Sequence, residues 1–422
     1  MEPATPLPFA IRLRLTTGGT GVAGFAGRLV LCLTLFAAMC DQANAQLFET
    51  KAERAYMIDA ETGTVLFSKN ADAVIQPGSL AKLMTLELAF DAIKTERLTL
   101  DDTFAVSENA WRTGGAPSGT STMFAALKSS IRMEDIIRGI AVQSANDGCI
   151  IFAEGFAGSE ENFARQLNNR AKQVGLTNST FVNSTGLPAP GEKTTVRDLA
   201  MLALHLWRDY PAFYHYFGEP AFTWNKIIQR NRNPLLKMDI GADGLSVGAG
   251  EQSGLGIVGS AARDGRRVFI AMSGLSSDQE RAEEARKLIE WGLRAFEKKK
   301  IFSDKAVAGY AEVYGGVKSN VALSANGPVE ILLPIINRDR VTAHIVYRGP
   351  LIAPVAEGQP VGDLQVRIGD TLSQKTPLHA AESVGMGSLP QRAADAAEEL
   401  ATGWLRGRKL TDILPEKSVT TH

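Results

Sequence analysis

Gln76-Pro77-Gly78-Ser79-Leu80-Ala81-Lys82-Leu83-Met84-Thr85 joins an extended region to an apolar run of helical character. From Ser79 to about Ile93 the residues Leu83, Leu86 and Phe90 share one face, which predicts the first strong helix. With a helix start near Ser79, Ser79 and Lys82 stand at i and i+3 on the same face, so hydroxyl and ammonium can meet. A lysine buried there gives up its proton more readily and becomes a base for the hydroxyl. The spacing is common in chains of this size, so its meaning depends on what accompanies it.

Upstream, Ala55-Tyr56-Met57-Ile58 and Thr64-Val65-Leu66-Phe67 flank Glu61-Thr62-Gly63, the pattern of a β-hairpin. Downstream, a Gly/Ser/Thr-rich loop from Thr113 to Thr122 precedes two helical runs, Met133 to Ile140 and Asp147 to Phe156. Further helices are predicted at Glu160 to Val174, Thr195 to Trp207 and Glu280 to Phe296, with an apolar strand at Val268 to Ser273. Helices placed between an N-terminal hairpin and later strands predict a mixed α+β fold, with helices layered on a sheet.

The chain has 422 residues, beyond the size at which single cores stop growing, so two domains are expected. A net charge of -1 with scattered Lys and Arg argues against nucleic-acid binding. Arg12, Arg14 and Arg28 precede the apolar run Leu29 to Met39, and Ala43-Asn44-Ala45 follows it. That order predicts a signal peptide over residues 1–45, cleaved after Ala45, and an exported protein. The run is shorter than the roughly 18 residues a membrane span requires. Cys32 and Cys40 fall in the leader, which leaves Cys149 as a core thiol with no partner for an intrachain disulfide. His205, His215, His344, His379 and His422 are far apart, so no metal site and no cofactor are expected.

After Lys298-Lys299-Lys300 only short strand-like runs occur: Tyr310 to Tyr314, Val321 to Leu323, Val329 to Leu333, Val341 to Tyr347 and Leu364 to Ile368. The expected division is a catalytic region over 46–300, a small all-β domain over 301–385 and a tail over 386–422. In the tail, Ala393, Ala397, Leu400, Trp404 and Leu405 recur at helical spacing, with Arg406, Arg408 and Lys409 following. Such a helix either lies on a membrane surface or docks on the protein.

Between the two central helical runs stands Gln143-Ser144-Ala145-Asn146-Asp147. A Ser-x-Asn turn offers a second hydroxyl for proton relay and an amide for a substrate carbonyl. Ser-x-x-Lys followed by Ser-x-Asn resembles the penicillin-binding serine acyltransferases, in particular the low-molecular-mass D-alanyl-D-alanine carboxypeptidases. Further stretches resemble that family in order: Asp59-Ala60-Glu61-Thr62-Gly63, Phe181-Val182-Asn183-Ser184-Thr185-Gly186-Leu187, Arg197-Asp198-Leu199-Ala200, Asn231-Arg232-Asn233-Pro234-Leu235-Leu236 and Asp243-Gly244-Leu245. The likeness runs from about Arg54 to Phe296, and the β-domain and terminal helix match the family's usual layout. It implies a penicillin-binding/β-lactamase-like transpeptidase fold with an antiparallel sheet.

The resemblance implies roles as well. Ser79 is the expected nucleophile, Lys82 the general base, Ser144 the proton relay and Asn146 the group that orients the acyl part. The backbone N–H groups of Ser79 and Ala249 are expected to hold the oxyanion, and Arg281 the substrate's terminal carboxylate. The implied substrate is the peptidoglycan stem pentapeptide, with β-lactams as acylating ligands. The implied place is the periplasm, with the tail resting on the outer face of the inner membrane.

One stretch departs from the pattern. Where the family carries Lys-Thr-Gly, this chain has Ser246-Val247-Gly248. Gly248 keeps room for close backbone approach, but an ammonium and a hydroxyl are lost, with Ser246 as a partial substitute. A second reading therefore stands beside the enzyme: a weakened homologue that binds peptidoglycan or a partner without meaningful turnover. A β-lactamase reading lacks its deacylating Glu, because Ala164 occupies that position ahead of Leu167-Asn168.

Overall fold

The structure, a computed structural model, describes residues 48–397. The leader over 1–45 and the tail positions Leu400, Trp404, Leu405, Arg406, Arg408 and Lys409 lie outside the described residues.

In chain order the first part comprises β1 (Arg54–Asp59), β2 (Val65–Lys69), α1 (Lys82–Lys94), β3 (Thr103–Ala105), β4 (Ser130–Arg132), α2 (Met133–Gln143), α3 (Asn146–Ala157), α4 (Glu160–Gln173) and α5 (Val196–Asp209). It continues with β5 (Ala221–Trp224), β6 (Ile227–Arg230), β7 (Ala242–Gly250), β8 (Gly254–Arg263), β9 (Arg266–Leu275) and α6 (Asp278–Arg294). Five strands form one antiparallel sheet in the order β2-β1-β9-β8-β7, which puts β7 at an edge. The hairpin turn is set by Asp59, whose Oδ1 accepts from the backbone N–H of Thr62 at 2.8 Å and from its hydroxyl at 2.7 Å.

The sheet is buried on both faces, and strand alternation sorts its side chains between two layers. Tyr56, Ile58, Val258, Phe269 and Ala271 point into a large core shared with Phe90, Phe152 and Phe163 of the helices. Their neighbours Met57, Ile257, Ile270 and Met272 point the other way, onto Leu288 and Ile289 of α6. Each buried aliphatic or aromatic side chain contributes roughly 1.5–3 kcal/mol. Hydroxyl caps fix where the helices begin: Ser159, Thr195 and Ser277 accept from Asn162, Asp198 and Glu280 at the starts of α4, α5 and α6.

The second part contains β10 (Phe296–Phe302), β11 (Val307–Tyr314), β12 (Asn320–Ala325), β13 (Val329–Pro334), β14 (Val341–Tyr347), β15 (Leu351–Ile352), β16 (Pro360–Ile368) and β17 (Thr371–Ala380). Six of them form a sheet in the order β14-β16-β17-β12-β11-β15, while β10 pairs with β13. Ala311, Val321, Leu323, Leu364, Val366 and Leu378 form a separate core there. The triplet Lys298-Lys299-Lys300 lies inside β10, and Lys298 reaches back to Glu61 at 2.7 Å. Residues 389–397 are helical.

Candidate active site

The turn that carries Ser79 is tighter than a simple α-helix start. Gly78–Ala81 forms a 3₁₀ turn and α1 begins at Lys82. The i, i+3 relation is kept, since a 3₁₀ turn stacks those positions even more closely. Lys82 Nζ stands 3.1 Å from Ser79 Oγ and donates to the Thr185 carbonyl oxygen at 2.6 Å. Burial pulls the Lys82 ammonium down to about 8; Cys149 and Glu192 work against that, and Arg232 adds to it. Cys149 is itself fully buried, and burial pushes its thiol up to about 12, so it belongs to the core.

The Phe181 to Leu187 stretch explains how Lys82 is aimed. Asn183 Oδ1 accepts from the backbone N–H groups of Thr185 and Gly186 and from the Thr185 hydroxyl, at 3.0, 2.7 and 2.8 Å. That knot presents the Thr185 carbonyl to Lys82. Next to it, Thr85 donates to the Ser184 carbonyl at 2.7 Å, and Glu160 accepts from both the backbone and the hydroxyl of Ser184. Gly186 has φ +73°, and a Cβ there would fall 1.9 Å from the Gly78 carbonyl oxygen. Only glycine lets this loop rest on the turn that carries Ser79.

Ser144 terminates α2 in the left-handed conformation at φ 60°, and α3 starts at Asn146. The break sets the two residues at one turn: Ser144 lines the cleft described below, whereas Asn146 is buried outside its lining. Ser144 Oγ and Asn146 Oδ1 are buried without a hydrogen-bond partner, while Asn146 Nδ2 donates to Thr120 at 2.9 Å. Buried polar atoms are nearly always paired, so two orphans at one turn mark groups arranged for a ligand. Asp147, the next residue, holds the loop opposite: its carboxylate accepts from the backbone of Met123 at 2.9 Å and of Ala125 at 3.0 Å, and from the Thr122 hydroxyl.

Ser79, Ser121, Ser144, Arg232, Val247, Gly248, Ala249, Asp278 and Arg281 line one open cleft of about 370 Å³. Gly248 runs so close to the turn that carries Ser79 that a Cβ would lie 2.9 Å from the Leu80 backbone nitrogen. Ser246 is not part of the lining, and Val247 packs on the core beneath β7 as well as bordering the cleft. Arg281 is buried beside the cleft; one terminal nitrogen donates to Asp278 at 2.7 Å, and its Nε is unpartnered.

Arg232 is the residue that motif reading passed over. Asn231 donates to the carbonyls of Phe217 and Glu219, and Asn233 caps the turn that follows, so the backbone of Arg232 is pinned. Arg232 lines the cleft, and its guanidinium makes no side-chain hydrogen bond or ion pair among the described residues. The signal was available in the Asn231-Arg232-Asn233 stretch, which offers a cation between two turn-formers. Among the described residues no group of His, Cys, Asp and Glu could hold a metal ion.

A serine hydroxyl beside a buried lysine, a second hydroxyl turned toward the same cleft and two arginines on its walls define a serine acyltransferase site of the penicillin-recognising type. The comparisons specify it. The family model for D-alanyl-D-alanine carboxypeptidase, peptidase S11, matches residues 40–275, and that for the C-terminal domain of penicillin-binding protein 5 matches residues 296–385. The D-alanyl-D-alanine carboxypeptidase DacC of Escherichia coli is 35% identical over 342 residues, covering 80% of this chain and 86% of that protein. The crystal structure of penicillin-binding protein 5 from Haemophilus influenzae superposes with a TM-score of 0.66 at 31% identity, covering 80% of this chain and 98% of the other. Penicillin-binding protein D2 of Listeria monocytogenes in its ampicillin-bound form is 27% identical, with a TM-score of 0.51, covering 58% of this chain and 99% of the other. The chain belongs to the D-alanyl-D-alanine carboxypeptidase family, the serine peptidases of family S11.

Proposed function

We propose that this protein removes the terminal D-alanine from peptidoglycan stem peptides through an acyl-enzyme on Ser79, and that β-lactams acylate the same hydroxyl. The observation that carries the reading is Lys82, fully buried, 3.1 Å from Ser79 Oγ and depressed to about 8. At pH 7 about one tenth of such a lysine is neutral, against fewer than one in a thousand for an exposed one. The neutral amine takes the Ser79 proton as Oγ attacks the carbonyl between the two D-alanines. The N–H groups of Ser79 and Ala249 receive the oxyanion, Ser144 passes a proton to the departing amine, and Asn146 orients the acyl part through its amide.

The altered edge strand is answered by charge placed elsewhere. Arg281 and Arg232 both border the cleft, so the substrate carboxylate meets two guanidinium groups although Ser246-Val247 supplies no ammonium. This supports turnover over the reading of a weakened, binding-only homologue.

The leader pattern supports export to the periplasm, where this substrate occurs. The apolar spacing from Ala393 onward supports a tail that rests on the membrane surface. No helix among the described residues is long and apolar enough to cross a bilayer.

The test is incubation of purified protein with a labelled penicillin and with a D-Ala-D-Ala pentapeptide. Label on Ser79 together with released D-alanine is the expected result. Label without release points to the binding-only homologue, and no label overturns the acyl-enzyme.

A further inference from the structure

Beside the catalytic cleft lies a second, smaller cavity that the acylation chemistry does not use. It measures about 40 Å³ and is walled by Gly78, Gly186, Ala249, Gly250, Glu192 and Glu251. That volume admits one or two water molecules. Its position is informative, because Gly78 immediately precedes the nucleophile and Ala249 also borders the cleft that contains Ser79. The two backbones touch there: a Cβ on Gly78 would fall 2.0 Å from the Ala249 carbonyl oxygen.

Glu192 lines this cavity at 7% exposure, and its Oε1 has no hydrogen-bond partner. Its backbone is held by a bond from its N–H to the Ala189 carbonyl. A carboxyl group desolvated to this extent without a donor is costly, and the fold offers no structural return for it. The charged groups facing it are Lys82 from α1 and Glu251 at the end of β7; Lys193, adjacent in sequence, is exposed. Burial pushes the Glu192 carboxyl up to about 7, with Lys82 opposing. A general base works best when it titrates close to the working pH.

We propose that Glu192 is the base that holds and deprotonates the hydrolytic water in the second half-reaction, so that the site can turn over penicilloyl as well as peptidyl adducts. This rests on the acyl-enzyme reading of Ser79. The water gives one proton to the Glu192 carboxylate while its oxygen bonds to the acyl carbonyl carbon. The tetrahedral adduct collapses by breaking the carbon–Oγ bond, and the proton on Glu192 passes through the Lys82 amine, neutral once its proton has gone by way of Ser144 to the departing amine, to Ser79 Oγ. The released acid ionises to solvent. Each step is a proton transfer or an acyl transfer, with water as the co-reactant.

The experiment follows a fluorescent penicillin on and off the full-length protein and its Glu192→Gln variant. The variant is expected to take up the label, which also reports an intact site, and to release it ~10²-fold more slowly. Wild-type release should fall as the pH drops below about 7, with that acid limb missing from the variant. Equal release rates or an unchanged acid limb would overturn the role of Glu192 while leaving the acyl-enzyme in place. Failure of the wild type to take up label would instead remove the acyl-enzyme and this inference with it.

Discussion

Lys82 and Thr185 are joined by a 2.6 Å bond from ammonium to carbonyl that spans 103 residues of sequence. The ammonium is aimed by a backbone group, and that group is aimed by a side chain, Asn183, through its three accepted hydrogen bonds. Asn183→Ala is therefore expected to cost roughly 2–3 kcal/mol by leaving buried donors unpaired. It should also slow penicillin acylation more than tenfold while Ser79 and Lys82 are both present. Thermal denaturation and the labelling rate check the two effects, and normal acylation in a destabilised variant would show that Lys82 is aimed without this knot.

Burying Lys82 costs stability. Its folded pKa of about 8 lies below the ordinary value of 10.5, so the native state resists the proton that the unfolded state binds. Relieving that desolvation returns up to about 3 kcal/mol, of which ~1 is lost by leaving the Thr185 carbonyl unpaired. Lys82→Met should thus abolish labelling yet gain roughly 1–2 kcal/mol of stability. The gain is full below pH 8 and shrinks as the pH rises toward 10.5, because there the wild type binds fewer protons folded than unfolded. In the wild type, acylation should climb with pH to a plateau above about 8. A variant that unfolds more easily at pH 7 would contradict this account.

Asp147 fastens the loop that carries Ser121 and Thr122 to the start of α3, as one carboxylate serving backbone and hydroxyl donors. An amide in its place turns an NH₂ toward some of those donors. Asp147→Asn should cost about 2–4 kcal/mol and expose the stretch near Gly119 to limited proteolysis, with penicillin labelling slowed because Ser121 borders the cleft. Unchanged protease resistance would show that the loop is held by other contacts.

What the sequence made legible was local. Ser79 and Lys82 are one turn apart, and Ser144 and Asn146 flank a single helix break, so spacing alone predicts their meeting. The helices beginning near Glu160 and Thr195 and the hairpin around Gly63 were visible for the same reason. β7 and β8 were harder. Gly244-Leu245-Ser246-Val247-Gly248-Ala249-Gly250 lacks the β-branched alternation of a strand because its backbone must pass against Pro77 and Leu80. Arg232 reaches the cleft, and Glu192 the smaller cavity beside it, through long-range folding, and nothing in their immediate neighbours announces it. Asn168 shows the converse: beside Leu167 it reads as a motif, yet its amide exchanges two hydrogen bonds with the Phe181 backbone and has a fastening role.

The altered edge strand offers the sharpest test of how the cleft manages charge. Arg232→Gln removes a cation that has no other partner among the described residues, so its loss falls on the substrate carboxylate. A charged hydrogen bond contributes about 1.5–3 kcal/mol, so KM for the pentapeptide should rise roughly 10- to 100-fold with stability unchanged. Ser246→Lys with Val247→Thr adds an ammonium and a hydroxyl beside the same carboxylate, and is expected to raise kcat/KM by about tenfold or more. If Arg232 stands in for the lost ammonium, the two changes are coupled, and Arg232→Gln should cost less in the Lys/Thr background than alone. Full additivity of the three substitutions would mean that Arg232 and the edge strand contact different parts of the substrate. A flat response to the double change would show that the edge strand does not limit turnover.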